Sequence, residues 1–166
     1  MSSHEKTVQF PVAFFGYVLA ALAGIWVGFQ VVEYAGTIKF YNRFLQAWET
    51  NVTRYTARDK VWPVFTGSNH AVYMDRLVRQ MADMGLTLPG SNTRTPYIYR
   101  IARNWPNPDE TIFILVLENQ MVLFGLSKTT FDMLDKKIDN QLDLNNGQFK
   151  GRQDKTGPTF TGIWTQ

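Results

Sequence analysis

The sequence predicts an α+β protein in which a long N-terminal helix, transmembrane in its first half and amphipathic in its second, packs on a small antiparallel sheet with two further helices. Three observations lead there. Between Lys6 and Glu33 there is no charged residue, and a helix needs about 20 apolar residues to cross a bilayer core of roughly 30 Å. Beyond that run the apolar side chains narrow to Ile38, Tyr41, Leu45, Trp48, Val52 and Tyr55, stepping by threes and fours as one stripe of a helix does. After Trp62-Pro63 the pattern changes to short β-branched runs separated by Pro, Gly and Asn clusters. The 166 residues therefore divide into a frayed polar tail (1–9), a transmembrane helix (10–34), its amphipathic continuation (35–62) and a small α+β soluble domain (63–166).

Within the anchor, Gly16, Ala20, Gly24 and Gly28 recur every fourth residue and share one helix face. In lipid, close backbone approach over small residues is one of the few sources of contact energy between helices, so this face is suited to a partner helix. A cleaved signal peptide is the rival reading, with Ala21-Leu22-Ala23 as its small-x-small site. The apolar run continues from Ile25 to Val32 beyond that site, which favours an uncleaved anchor. Lys39, Arg43 and Arg54 outnumber Lys6 across the apolar run, and that count alone favours a cytoplasmic domain. A short tail before an anchor and a following domain is nevertheless the layout of signal-anchored proteins, so the domain is expected on the periplasmic or extracytoplasmic side.

The domain reads in order as follows. Ser68 or Asn69 caps a helix reaching Met84, with Leu77, Met81 and Met84 inward and Gly85 as its left-handed stop. Residues 86–96 form an irregular connection. Tyr97–Arg103 is a strand with Tyr97, Tyr99 and Ile101 inside, Thr111–Leu117 is a central strand, and Glu118-Asn119-Gln120 turns the chain into a returning strand at 121–126. Thr159–Trp164 supplies a fourth strand. Ser127 caps a last helix with Phe131, Leu134, Ile138 and Leu142 inward, and with Lys128, Asp132, Asp135, Lys136, Lys137 and Asp139 turned to solvent.

Little in the chain points to chemistry. The net charge of +3 comes from scattered Lys and Arg with no basic run, so nucleic acid is not an expected partner. There is no cysteine, and the histidines are His4 and His70 alone, which excludes thiolate metal sites and histidine pairs. No catalytic residue and no cofactor is assigned. Asp143, Asn145 and Asp154 distantly approach a calcium loop but lack its glycine position and ligand alternation. Asn51-Val52-Thr53 has glycosylation spacing inside a predicted helix and is read as coincidence.

Two segments carry a resemblance: Tyr55–Pro63 (YTARDKVWP) and Phe124–Gly151 (FGLSKTTFDMLDKKIDNQLDLNNGQFKG). With the order of parts, they resemble type IV pilins and the pseudopilins of type II secretion. The resemblance implies a helix that bundles in a filament core through its apolar half, and a late region in which pseudopilins can carry calcium. The chain departs from those families at the processing motif. No glycine precedes an aromatic first residue with glutamate at the fifth position; a cut after Gly16 would leave Tyr17 first and Ala21 fifth. The expected function is a non-enzymatic, single-pass structural protein assembling through its N-terminal helix, a pilin-like component of a pilus or secretion apparatus. Its partners would be membrane lipid and either further copies of itself or other membrane-protein subunits. An accessory subunit of a larger membrane enzyme or transporter, and a membrane-tethered ligand-binding module, are the alternatives.

Overall fold

The computed structural model describes residues 5–58, 61–104, 107–155 and 157–165, with side chains from residue 13 onward. The fold is α+β, and the chain divides into two compact units, Met1–Ala35 and Gly36–Gln166. Helix α1 (Glu5–Phe40) begins inside the stretch expected to fray. Residues 5–9 contain no helix breaker and run directly into the apolar segment, so they join it. Positions 1–4 of that tail lie outside the described residues. In the first unit every described side chain from 13 to 32 is exposed. Phe14, Tyr17, Leu22, Trp26 and Val32 stand at 58–78 % exposure, and this one helix is long and apolar enough to cross a membrane.

In the second unit the same helical run turns from exposed to buried. Its last residues before Tyr41 lead into a π-helical turn, Tyr41–Leu45, and then into α2 (Gln46–Thr56). The Gln46 N–H bonds back five residues to the Tyr41 carbonyl, so one extra residue is accommodated in the turn. This shifts the buried stripe. The expected seam of Ile38, Tyr41, Leu45, Trp48, Val52 and Tyr55 is buried from Leu45 onward, but Ile38 and Tyr41 are only half-buried, and Phe40 and Phe44 take the core positions ahead of them. Both rings pack on Tyr99, with centroids 5.1 and 4.9 Å away.

Helix α2 stops at Thr56, before the predicted end at residue 62. Trp62 instead folds back to meet the Tyr55 ring edge-on at 5.1 Å, and the Arg58 guanidinium donates to the Met84 carbonyl at 3.0 Å. Residues 59–60 of the expected helix lie outside the described residues. Helix α3 (His70–Asp83) buries Tyr73, Met74, Leu77 and Met81. It closes at Gly85 (φ +71°), where the Leu86 N–H returns to the Met81 carbonyl at 3.0 Å. Asn69 occupies the N-cap position without capping; its side chain reaches backward to Val64 and Thr66.

The sheet has five strands, β1 (Ile98–Ile101), β2 (Glu110–Leu117), β3 (Gln120–Leu126), β4 (Phe149–Gln153) and β5 (Phe160–Thr165), ordered β1-β2-β3-β5-β4 and antiparallel throughout. The hairpin turn at Glu118-Asn119 matches the sequence expectation. β4 does not: FKGRQ has one core residue, Phe149, and reads as a polar tail. It forms because Gly151 and Gly162 pair across β4 and β5, and the rings of Phe131 and Phe149 lie against them where any Cβ would stand. Gly125 (φ +82°) accommodates the bulge between Leu123 and Leu126, and a Cβ there would come within 2.6 Å of the Thr111 carbonyl oxygen.

Backbone groups of both strands on the β1 side find side-chain partners. Asn92 accepts the Arg100 N–H at 2.9 Å and donates to the Arg100 carbonyl at 2.6 Å, standing in for a further strand. Where β1 ends, Met74 Sδ of α3 accepts the Val116 N–H at 3.3 Å. Helix α4 (Lys128–Asp139) starts at Ser127, whose Oγ accepts the Thr130 N–H at 3.2 Å as the sequence predicts. It ends earlier than its apolar spacing suggests: Asn140 adopts a left-handed conformation (φ 59°), and Leu142 is exposed.

Candidate functional site

The residues assigned to helix packing lie together on the exposed part of α1. A Cβ added at Gly16, Gly24 or Gly28 meets nothing within 4 Å, and Ala20 is likewise exposed. The surface is therefore a smooth strip bordered by large apolar side chains. The seam residues divide differently. Leu45, Trp48, Val52 and Tyr55 are consumed by the second unit's own core, so they are core residues and not a contact face. Tyr41, left at the margin, stacks on Trp164 with centroids 6.3 Å apart and lies 6.0 Å from the Lys137 ammonium.

Polar chemistry concentrates in two places, neither of which the sequence reading gave as a network: it placed Asp135 and Asp139 on a solvated face and Asp143 among the distant calcium candidates. The first joins Arg103, Glu110, Ser127 and Thr130. Arg103 and Glu110 form an ion pair with side chains 5 % and 4 % exposed. Glu110 Oε1 accepts the Ser127 N–H at 2.7 Å; its Oε2 accepts the Ser127 and Thr130 hydroxyls at 3.0 and 2.8 Å. Arg103 also donates to the Thr130 hydroxyl. This network ties the start of α4 to the start of β2. Charges removed from water persist only when paired and hydrogen-bonded, and here each group has partners.

The second is the connection from α4 to β4, folded around three carboxylates. Asp135 Oδ2 accepts the Asp143 N–H at 2.8 Å. Asp139 accepts the N–H groups of Gln148 and Phe149 at 2.9 and 2.8 Å, and Asp143 accepts the Asn145 N–H at 3.0 Å and the Asn146 amide at 2.7 Å. Asp135, expected at the surface, is 1 % exposed, and its Oδ1 has no hydrogen-bond partner among the described residues. The early stop of α4 causes this, because the connection folds back over the helix face that bears Asp135.

The calcium candidates are not brought together. Asp143 is occupied by its own turn, Asp154 accepts the Thr159 and Thr161 hydroxyls at 2.7 Å each, and Asn145 contributes its backbone N–H to Asp143. Among the described residues no three His, Asp or Glu side chains gather to hold an ion. The hydrogen bonds of Asn146 and Asn145 hold the Asp143 carboxyl below its ordinary range, and those of Thr161 and Thr159 do the same for Asp154. His70 packs edge-on against Phe65, Phe124 and Phe113 at 5.3, 5.7 and 6.3 Å. Asn51 is 4 % exposed and donates to the Thr87 carbonyl at 2.8 Å, which withdraws the glycosylation spacing from any enzyme.

Asp135 carries a pH prediction. Burial pushes its carboxyl above the ordinary value; the Asp143 N–H opposes this, and the charges of Asp139, Asp143 and Asp132 add to it. As pH rises past the ordinary carboxylate range, the unfolded chain ionises first. Stability contributed by the neutral folded form is therefore lost as pH climbs through the raised value. Asp135→Asn stays neutral and still accepts the Asp143 N–H. The variant is expected to be more stable than the parent at neutral pH and to lose that advantage near pH 3, measured by denaturant titration at both pH values.

No protein family, curated protein or solved structure matches the chain.

Proposed function

We propose that this chain is a non-enzymatic, single-pass membrane-anchored structural subunit that assembles through the exposed part of α1 and carries its second unit as a docking body. The observation that carries the reading is the change of environment along one continuous helical run. From 13 to 32 its described side chains are exposed, whereas Phe40, Phe44, Leu45 and Trp48 are 0 % exposed. A stretch of large apolar residues left uncovered on every side is suited to lipid. The second unit's buried polar groups serve folding: Glu110 and Thr130 bind the start of α4, and Asn51 holds the chain at Thr87.

A pilin-like role in a pilus or secretion apparatus, with the domain on the extracytoplasmic side, is the finer form of this proposal. It rests on the helix-then-sheet layout and the strip of Gly16, Ala20, Gly24 and Gly28. The test is the native assembly in mild detergent. The parent chain is expected in a discrete complex that resists carbonate extraction from membranes. Gly24→Leu removes close helix approach and is expected to release the chain as a monomer while leaving it in the membrane. A parent that runs as a lone monomer defeats the assembly reading, and a complex unmoved by Gly24→Leu defeats the strip as its contact. Co-migration with further copies favours the filament form; co-migration with unrelated polytopic proteins favours an accessory subunit.

A further inference from the structure

Asn146-Gly147 is the only asparagine–glycine pair in the chain. It lies in the connection from α4 to β4, and both residues are exposed. This connection covers a sheet edge. β4 is the last strand in the sheet order, and its outward N–H groups are met by the connection and the end of α4: that of Phe149 by Asp139 at 2.8 Å, and that of Gly151 by the Leu144 carbonyl at 2.9 Å. The closure requires a glycine. Gly147 has φ +100°, and a Cβ on it would fall onto the Asp139 carboxyl, the group that also accepts the Gln148 N–H at 2.9 Å.

The residue that permits this close fit also removes the usual obstacle to attack by a backbone nitrogen on the preceding side-chain amide. After every other asparagine stands a residue whose side chain crowds that approach or, after Asn107, a proline with no N–H. The Gly147 N–H has no hydrogen-bond partner among the described residues, so no bond must break to free the nitrogen. The amide it would attack is close by in the chain, and an intramolecular reaction gains from that proximity. On its other side, the Asn146 side-chain amide donates to Asp143 Oδ2 at 2.7 Å.

We propose that Asn146 is a site of spontaneous deamidation, and that its isoaspartyl product releases the connection from the edge of β4. The Gly147 nitrogen gives up its proton and bonds to the Asn146 side-chain carbonyl carbon, closing a succinimide, while the side-chain nitrogen leaves with that proton as ammonia. Water then opens the ring and returns a proton to the Gly147 nitrogen. One water is consumed, one ammonia is released, and no electrons are exchanged with any partner. Opening at the former side-chain carbonyl leaves aspartate. Opening at the backbone carbonyl leaves isoaspartate, which routes the main chain through an extra methylene just before Gly147. Either product replaces the donor to Asp143 with a further carboxylate beside it, and isoaspartate also moves Gly147 off Asp139. The bonds from Asp139 to Gln148 and Phe149 depend on that fit. The inference concerns the second unit alone, so it holds whether or not α1 crosses a bilayer.

The test compares fresh full-length chain in mild detergent with the same protein aged at mildly alkaline pH. The tryptic peptide 138–150 carries Asn140, Asn145 and Asn146, and fragmentation is expected to place the amide-to-acid mass gain at Asn146 ahead of the other two, with isoaspartate among the products. Amide exchange followed by nuclear magnetic resonance is expected to show loss of protection at Phe149 and Gly151 in the converted protein. Ile114, whose N–H bonds the Tyr97 carbonyl at 2.9 Å on the β1 side of the sheet, is expected to keep its protection. Asn146→Gln retains an amide at an exposed position but closes the larger ring far more slowly, and is expected to age with neither change. Conversion at Asn146 no faster than at Asn140 or Asn145 overturns the site. The release is overturned if aspartate alone forms, or if protection at Phe149 and Gly151 survives conversion. It is equally overturned if that protection falls together with that of Ile114, or falls as far in aged Asn146→Gln.

Discussion

Glu110→Ala is expected to cost about 3–5 kcal/mol of stability, the toll of leaving one member of a buried ion pair without the other. Glu110 accepts from the Ser127 backbone and hydroxyl and from Thr130, so its loss strands the Arg103 guanidinium at 5 % exposure and unpins the start of α4. The cost lies in the orphaned groups more than in the lost attraction. A double variant with Met at both Arg103 and Glu110 removes the two charges together and is expected to recover most of the loss. Denaturant unfolding of the four members of this cycle gives the coupling directly. A single-variant loss below about 1 kcal/mol would place the pair among solvent-screened ones, whose contribution is of that size.

Leu22→Arg combined with Ile25→Arg is expected to remove the chain from the carbonate-resistant membrane fraction. Each arginine near the middle of a spanning helix costs about 2.5–3.5 kcal/mol on the insertion scale, together roughly 5–7 kcal/mol. Both positions are more than half exposed, so no protein packing is lost and the change reads lipid contact alone. The core around Phe40 to Tyr55 contains neither residue, and its near-ultraviolet circular dichroism is expected to stay that of the parent. A double variant that still resists carbonate would show that residues 13–32 are not the membrane contact.

Much of the fold was legible in residues. The charge-free run after Lys6, the Gly85 helix stop, the Ser127 cap and the Glu118-Asn119 hairpin each depend on local chemistry, which periodicity and turn preference reveal. The stripe was legible from Leu45 to Tyr55 and misplaced ahead of it, because a π turn changes helical phase by one residue without leaving a mark in composition. β4 was invisible for a related reason. FKGRQ carries no strand pattern, and only its partner β5 and the rings over Gly151 and Gly162 make an extended conformation favourable.

The polar sites divide along the same line. That Gly16, Ala20, Gly24 and Gly28 share a face follows from spacing alone, since four residues nearly complete a helical turn. That Asp135 is buried, that Arg103 finds Glu110, and that Asp143 and Asp154 serve separate turns depend on how short connections fold back on their own neighbours, while Thr130 reaches Glu110 only where segments 20 residues apart meet. The sequence by itself determined an apolar helix and an α+β domain, because burial and turn preferences act over a few residues. The tertiary structure alone decided which face of that helix fills the core and which charges leave water, because those outcomes depend on contacts beyond the reach of helical or strand periodicity.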